Sequence, residues 1–142
     1  MVEININLLN QLYDKYKDLP LLINETRCWT FAEFFNEACL LSKSLCTDPQ
    51  ERIGLCSENY EFLLLAMMAI WIREGIVVPL NPKFPPKQKE ELLRKVKCGV
   101  TLSENYTHTN SKSKITMEMP LLKPDAWSTI IFTSGSSGFP KA

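Results

Sequence analysis

No sign of charge dominates this chain. Its 142 residues carry sixteen Lys and Arg against sixteen Asp and Glu, a formal net charge of zero. A balanced surface offers no field to gather nucleic acid or an anionic membrane, so neither partner is expected. Histidine is nearly missing: His108 is the only one, and its Thr, Asn, Ser and Lys surroundings predict a solvated loop residue, not a base. The five cysteines (Cys28, Cys39, Cys46, Cys56, Cys98) contain no C-x-x-C pair and are odd in number. They read as small reduced residues of a cytoplasmic protein, and no metal site is suggested. No basic segment precedes an apolar stretch at the N-terminus, so no secretory signal is expected. The longest apolar run, Phe62 to Ile72, has eleven residues, too few to cross a bilayer and suited to a buried helix.

Hydrophobic residues make up 45% of the chain and charged ones 23%, ordinary values for a globular domain of this length. Leu8, Leu9, Leu12, Tyr13 and Tyr16 recur at helical spacing and predict a helix over about 6–17. Leu21-Leu22-Ile23 and Arg27-Cys28-Trp29 flank Asn24-Glu25 as a small hairpin. Thr30 and Glu33 form a capping-box pair, followed by an apolar face of Phe34, Ala38, Leu41 and Leu45. Arg52 to Cys56 is a short strand. Asn59 caps the apolar helix, which runs to about Arg73 with Gly75 as its terminator. Ile76 to Leu80 is a strand stopped by Asn81-Pro82. Pro85-Pro86 opens a charged helix to about Lys97, Val100 to Leu102 is a strand, residues 103–119 are a polar connection, and Trp127 to Thr133 is the last strand. The Met67-Met68 pair reads as core filling, and the mixed charges from Lys87 to Lys97 as an exposed helix face. Strands alternating with helices predict an α/β fold, a mostly parallel sheet covered by helices, with ligands bound off the carboxyl ends of its strands.

Glycine is scarce, yet two of the five glycines stand close together in Thr133-Ser134-Gly135-Ser136-Ser137-Gly138-Phe139-Pro140-Lys141. An apolar β-branched run leads into this segment. Its glycines let the backbone turn with φ > 0 and approach a ligand closely. Hydroxyls and successive N–H groups suit an anion nest, and Lys141 brings a mobile positive charge. The spacing is not that of a P-loop, because Pro140 stands five positions after Gly135 and Ala142 follows the lysine. It is not the dinucleotide fingerprint either, because Ser137 occupies the second glycine position.

Phe132 to Lys141 matches, in ten consecutive positions, the [YF]-T-S-G-[ST]-[ST]-G-x-P-K signature of the adenylate-forming enzymes, with Ala142 in place of the usual final glycine. Other segments resemble the same superfamily: Thr30-Phe31-Ala32-Glu33, Arg52 to Asn59, and Gly75 to Pro82, the last as buried scaffold. The resemblance implies that residues 1–142 are the N-terminal, incomplete part of the AMP-binding (adenylation) domain, with the C-terminal domain absent. It implies an enzyme that uses ATP and Mg²⁺ to turn a carboxylate into an acyl-adenylate and then transfers the acyl group to coenzyme A. Thr133, Ser134, Gly135, Ser136, Ser137, Gly138 and Lys141 would bind the nucleotide phosphates. No catalytic or metal-binding residue is assigned within the chain, and the isolated 142 residues are expected to be inactive. The P-L-N-P-x-x-P segment, the E-E-L-L helix and the alanine after Lys141 look most like o-succinylbenzoate–CoA ligases of menaquinone biosynthesis. Two alternatives stand beside this reading: a domain that loads a carrier-protein thiol, and a folded non-catalytic remnant. The apolar Ile130-Ile131-Phe132 run is further expected to promote self-association of the chain.

Overall fold

The computed structural model describes residues 11, 13–45, 48–105 and 128–132. A hairpin of β1 (Pro20–Ile23) and β2 (Cys28–Thr30) leads directly into helix α1 (Phe31–Ser44). Strand β3 (Arg52–Leu55), helix α2 (Tyr60–Ile72), strand β4 (Ile76–Pro79), helix α3 (Pro86–Lys95) and strand β5 (Val100–Leu102) follow in alternation. β3 pairs with β4 and with β5, both parallel, giving the order β4-β3-β5. An isolated parallel bridge joins Thr129 to Val77 on the free side of β4. This is the α/β architecture the alternation predicted. Of the first predicted helix, residues 11 and 13–16 are helical and Lys17 is already in a turn, while residues 6–10 and 12 lie outside the described residues.

Local chemistry sets the boundaries. The hairpin turn is tied by Asn24, whose Oδ1 accepts from the N–H groups of Thr26 (2.9 Å) and Arg27 (2.8 Å). The hairpin seats Trp29 edge-on against Phe34, with ring centroids 5.8 Å apart. α1 begins in a full capping box: Thr30 Oγ1 accepts from Glu33 N–H at 3.2 Å, and the Glu33 carboxylate accepts from Thr30 N–H at 2.9 Å. α2 begins at Asn59, whose side chain accepts from Phe62 N–H at 3.1 Å.

The end of α2 corrects the expectation that Gly75 terminates it. The left-handed residue is Glu74, at φ 56°. Glu74 N–H bonds the Trp71 carbonyl and Gly75 N–H bonds the Ile70 carbonyl, each at 2.9 Å. That is the paired bonding of a Schellman turn. Gly75 is needed one position later for a different reason: a Cβ there would stand 2.9 Å from Ile70 Cγ2 and 3.2 Å from its carbonyl. α3 closes in the same way, with Lys97 at φ 51°, its N–H on Arg94 O (3.1 Å) and Cys98 N–H on Leu93 O (2.9 Å). Helix α3 therefore stops at Lys95, short of the expected Lys97.

α1 and α2 cover one face of the sheet. Leu41, Leu45, Ala66, Ala69 and Ile70 pack with Ile53, Leu55, Val77 and Leu102 into a single buried cluster. Each large aliphatic side chain enclosed there contributes about 1.5–3 kcal/mol of burial. Between Ile53 and Leu55, Gly54 points to the other face, where a Cβ would meet Leu93 Cδ2 of α3 at 2.9 Å. Glycine lets α3 lie directly on the sheet, and the result is three layers.

Two outcomes follow for stability. Glu74→Gly removes the cost of a left-handed non-glycine residue and should raise the unfolding free energy by about 1 kcal/mol. Gly75→Ala should lower it by about 1–3 kcal/mol through overpacking against Ile70. Urea melts of the two variants check both, and a destabilised Glu74→Gly would refute this assignment of the cap. The Glu33 carboxyl titrates below its ordinary 4.5, chiefly because it accepts the Thr30 N–H and then the Thr30 hydroxyl, with Arg27 adding a smaller pull. A lowered folded value means that its contribution is complete above about pH 4.5 and fades as pH falls through the folded value. Glu33→Gln should therefore cost stability at pH 7 and show a shallower acid limb than wild type in melts from pH 6 to pH 2.

Candidate functional site

Within the three-stranded sheet β3, β4 and β5 are all parallel, so their carboxyl ends share one edge and deliver their following loops to it. After β3 comes Cys56 to Asn59, after β4 comes Leu80 to Phe84, and after β5 comes Ser103 to Asn105. The Ser128 to Phe132 segment, lying beside β4, leads out at the same edge. Its bonds to the sheet run to Val77: Val77 N–H donates to Ser128 O at 2.9 Å, and Ile130 N–H donates to Val77 O at 2.8 Å. The indole N–H of Trp71 reaches the same Ser128 carbonyl at 3.0 Å. Only a single bridge forms, so the last strand is shorter than predicted over the residues described. Within it Ile131 is 66% exposed, while Ile130 and Phe132 are half-buried.

The candidate phosphate-binding residues Thr133, Ser134, Gly135, Ser136, Ser137, Gly138 and Lys141 lie outside the described residues, as do His108 and Cys46. What is described is the frame from which the loop departs. Thr129 is level with Val77, so Phe132, three residues on, follows the same count that takes β4 from Val77 to Leu80. Phe132, the last described residue of the segment, therefore ends toward the edge where Asn81 begins the loop after β4.

At that edge a cleft of about 530 Å³ opens over the ends of β3 and β4. Leu55, Leu63 and Leu80 contribute its apolar lining, and Ser57, Glu58, Asn81 and Lys83 its polar groups. Local bonds hold the polar rim in place. Asn81 Oδ1 accepts from Lys83 N–H at 2.9 Å, and Lys89 Nζ reaches back to Pro82 O at 2.7 Å. Ser57, 5% exposed, donates its hydroxyl to the Glu104 carboxylate and accepts from Asn59 N–H at 2.9 Å. The chain passes from β3 to β4 on one side and then back across to β5 on the other. The crevice at this reversal is where open α/β sheets commonly bind ligands, and here Ser57 and Glu104 bridge it. Sequence reasoning missed this bridge, and also the Trp71 contact, because neither partner stands in a recognisable local pattern.

The thiols of Cys39 and Cys98 are not poised for nucleophilic chemistry. Burial pushes the Cys39 and Cys98 thiols above their ordinary value, and Cys98 Sγ also donates to the Arg52 carbonyl at 3.0 Å. Among the described residues no group of His, Cys, Asp and Glu could hold a metal ion, and no helix is long and apolar enough to cross a membrane.

Comparison with known proteins fits this frame. Nonribosomal peptide synthetase 8 of Aspergillus fumigatus is 24% identical over an alignment of 157 positions, covering 94% of this chain. Other curated relatives also bear the name nonribosomal peptide synthetase. The chain spans about 2% of the length of that Aspergillus protein. The Klebsiella oxytoca NpsA N-terminal subdomain, solved with 3-hydroxyanthranilyl-AMSN, superposes with a TM-score of 0.80 at 22% identity, over 94% of this chain and 38% of its own. O-succinylbenzoate coenzyme A synthetase (MenE) of Bacillus subtilis, solved with AMP, gives a TM-score of 0.78 at 21% identity, over 94% of this chain and 40% of its own. The pattern described as AMP-binding enzyme matches residues 10–122. With most of its length inside that match and its sheet built as in the N-terminal subdomain of such proteins, this chain belongs to the AMP-binding enzyme family of the adenylate-forming superfamily.

Proposed function

We propose that residues 1–142 form the N-terminal part of an adenylation domain that activates a carboxylic acid with ATP, releasing pyrophosphate and leaving an acyl-adenylate. The observation that carries the reading is the junction at Phe132. A strand segment parallel to β4 runs toward the carboxyl edge of the sheet, and the sequence that follows it is Thr-Ser-Gly-Ser-Ser-Gly-Phe-Pro-Lys. Ligands of open α/β sheets gather at that edge. In this reading the hydroxyls of Thr133, Ser134, Ser136 and Ser137, with backbone N–H groups at Gly135 and Gly138, hold the β- and γ-phosphates. Lys141 offsets the negative charge that builds on the departing pyrophosphate, a group whose interaction strengthens as the reaction proceeds. Bound Mg²⁺ would supply further charge neutralisation on the same oxygens.

The acceptor of the acyl group is a thiol, and two readings have support. The P-L-N-P-x-x-P segment, the E-E-L-L helix and the Lys-Ala ending favour coenzyme A as acceptor and o-succinylbenzoate as acid, and MenE is a structural neighbour. The names of the curated relatives favour a carrier-protein thiol. The two are separated by offering the adenylating polypeptide that contains these residues either coenzyme A or a phosphopantetheinylated carrier and following thioester formation.

The loop assignment predicts an order of mutational effects. Lys141→Ala removes a charge-assisted contact worth about 1.5–3 kcal/mol, whereas Ser136→Ala removes one neutral bond worth about 1 kcal/mol. In that polypeptide, ATP–pyrophosphate exchange should fall by about 10- to 150-fold for the lysine change and about fivefold for the serine change. Unchanged exchange in Lys141→Ala would refute the role given to this residue.

A further inference from the structure

The Ser128 carbonyl accepts two hydrogen bonds from two different elements: Val77 N–H of β4 at 2.9 Å and the Trp71 indole N–H of α2 at 3.0 Å. The donors are six residues apart, on either side of the turn that ends α2. That turn is fixed from within, since the Trp71 carbonyl accepts Glu74 N–H and the Ile70 carbonyl accepts Gly75 N–H. Val77 is fully buried, and Trp71 packs half-buried against the core cluster. The α2–turn–β4 unit therefore presents both N–H groups to one oxygen from a braced backbone. One bond would leave the segment free to pivot about it. Two donors from different directions fix both the position and the heading of the described segment that ends at Phe132.

Resting on the phosphate-loop reading above, we infer that Trp71 is a positioning residue for nucleotide binding, which acts through the Ser128 carbonyl and touches no phosphate itself. Its indole N–H, together with Val77 N–H, sets the position of the segment that ends at Phe132, so deleting this donor should weaken triphosphate binding at the sequence that follows. Position 71 lies more than sixty residues before the motif and inside the chain's most apolar helix. A tryptophan there reads as core in the sequence, and its ring does line an apolar cleft with Leu64, Met67 and Met68. The polar edge of the ring does a separate job. By contrast, the indole N–H of Trp29 is buried and has no hydrogen-bond partner, which makes it an internal reference.

The test is calorimetric titration of the 142-residue chain with MgATP, alongside Trp71→Phe, Lys141→Ala and Leu64→Ala. Trp71→Phe keeps an aromatic ring and deletes the donor, and should weaken binding about threefold to tenfold. Leu64→Ala perturbs the same helix at an exposed position without deleting a hydrogen-bond donor and should bind as wild type does. In the wild-type protein the Trp71 indole N–H resonance should move on MgATP addition while that of Trp29 stays in place. Weaker binding by Lys141→Ala but wild-type binding by Trp71→Phe, or a stationary Trp71 resonance, overturns the inference and leaves the loop reading intact. Equal weakening by Leu64→Ala also overturns it, because the effect would then belong to helix stability. A wild-type chain that takes up no MgATP overturns the loop reading and the inference with it.

Discussion

The backbone of Val77 is where scaffold and site meet. In a parallel strand, alternate residues turn their N–H and C=O groups to opposite neighbours. Ile76 N–H turns to Glu51 O on the β3 side, while both polar groups of Val77 turn away to Ser128 and Ile130. The Val77 side chain is meanwhile sealed in the core among Ile53, Leu55 and Ile70. Burial thus immobilises the residue that carries the only described attachment of the 128–132 segment to the sheet. The segment that precedes the proposed phosphate-binding sequence takes its place in the sheet from this attachment. The Schellman turn before β4 and the glycine that permits it matter because they set where Val77 lies relative to Trp71.

Much of this was legible in the sequence because the signals are local. The capping box at Thr30, the Asn59 cap, the Asn24 turn and the β-branched strands each carry their cause within a few residues. Features that depended on tertiary geometry were hidden. Glu74 and Lys97 occupy left-handed positions without being glycine or asparagine, so the sequence pointed to Gly75, whose lack of a Cβ answers a packing demand instead. Helix α2 is apolar on every side, and periodicity could not say that Ala66, Ala69 and Ile70 would face the sheet while Leu64 stayed exposed. Gly54 gave no sign that Leu93 would rest on it.

The candidate site divides along the same line. The proposed phosphate-binding chemistry comes from the sequence, where hydroxyls, glycines and a lysine in fixed order have few other uses together. Its support was not readable. Trp71 and Ser128 are 57 positions apart, and no local pattern links an indole to a distant carbonyl. The Ser57–Glu104 bridge is similarly non-local, and it occupies the crevice where the chain reverses across β3. Nucleotide is accordingly expected on the β4 flank, beside the segment that carries the motif.

On this reading, a triphosphate is received by the sequence following Phe132, at the flank held by Val77. Mapping backbone amide shifts of the isotope-labelled chain during a MgATP titration tests it most directly. The largest shifts are expected at residues 133–141, with smaller ones passing through Ile130 to Val77. Shifts concentrated instead around Ser57, Asn81 and Lys83, with residues 133–141 unmoved, would contradict it.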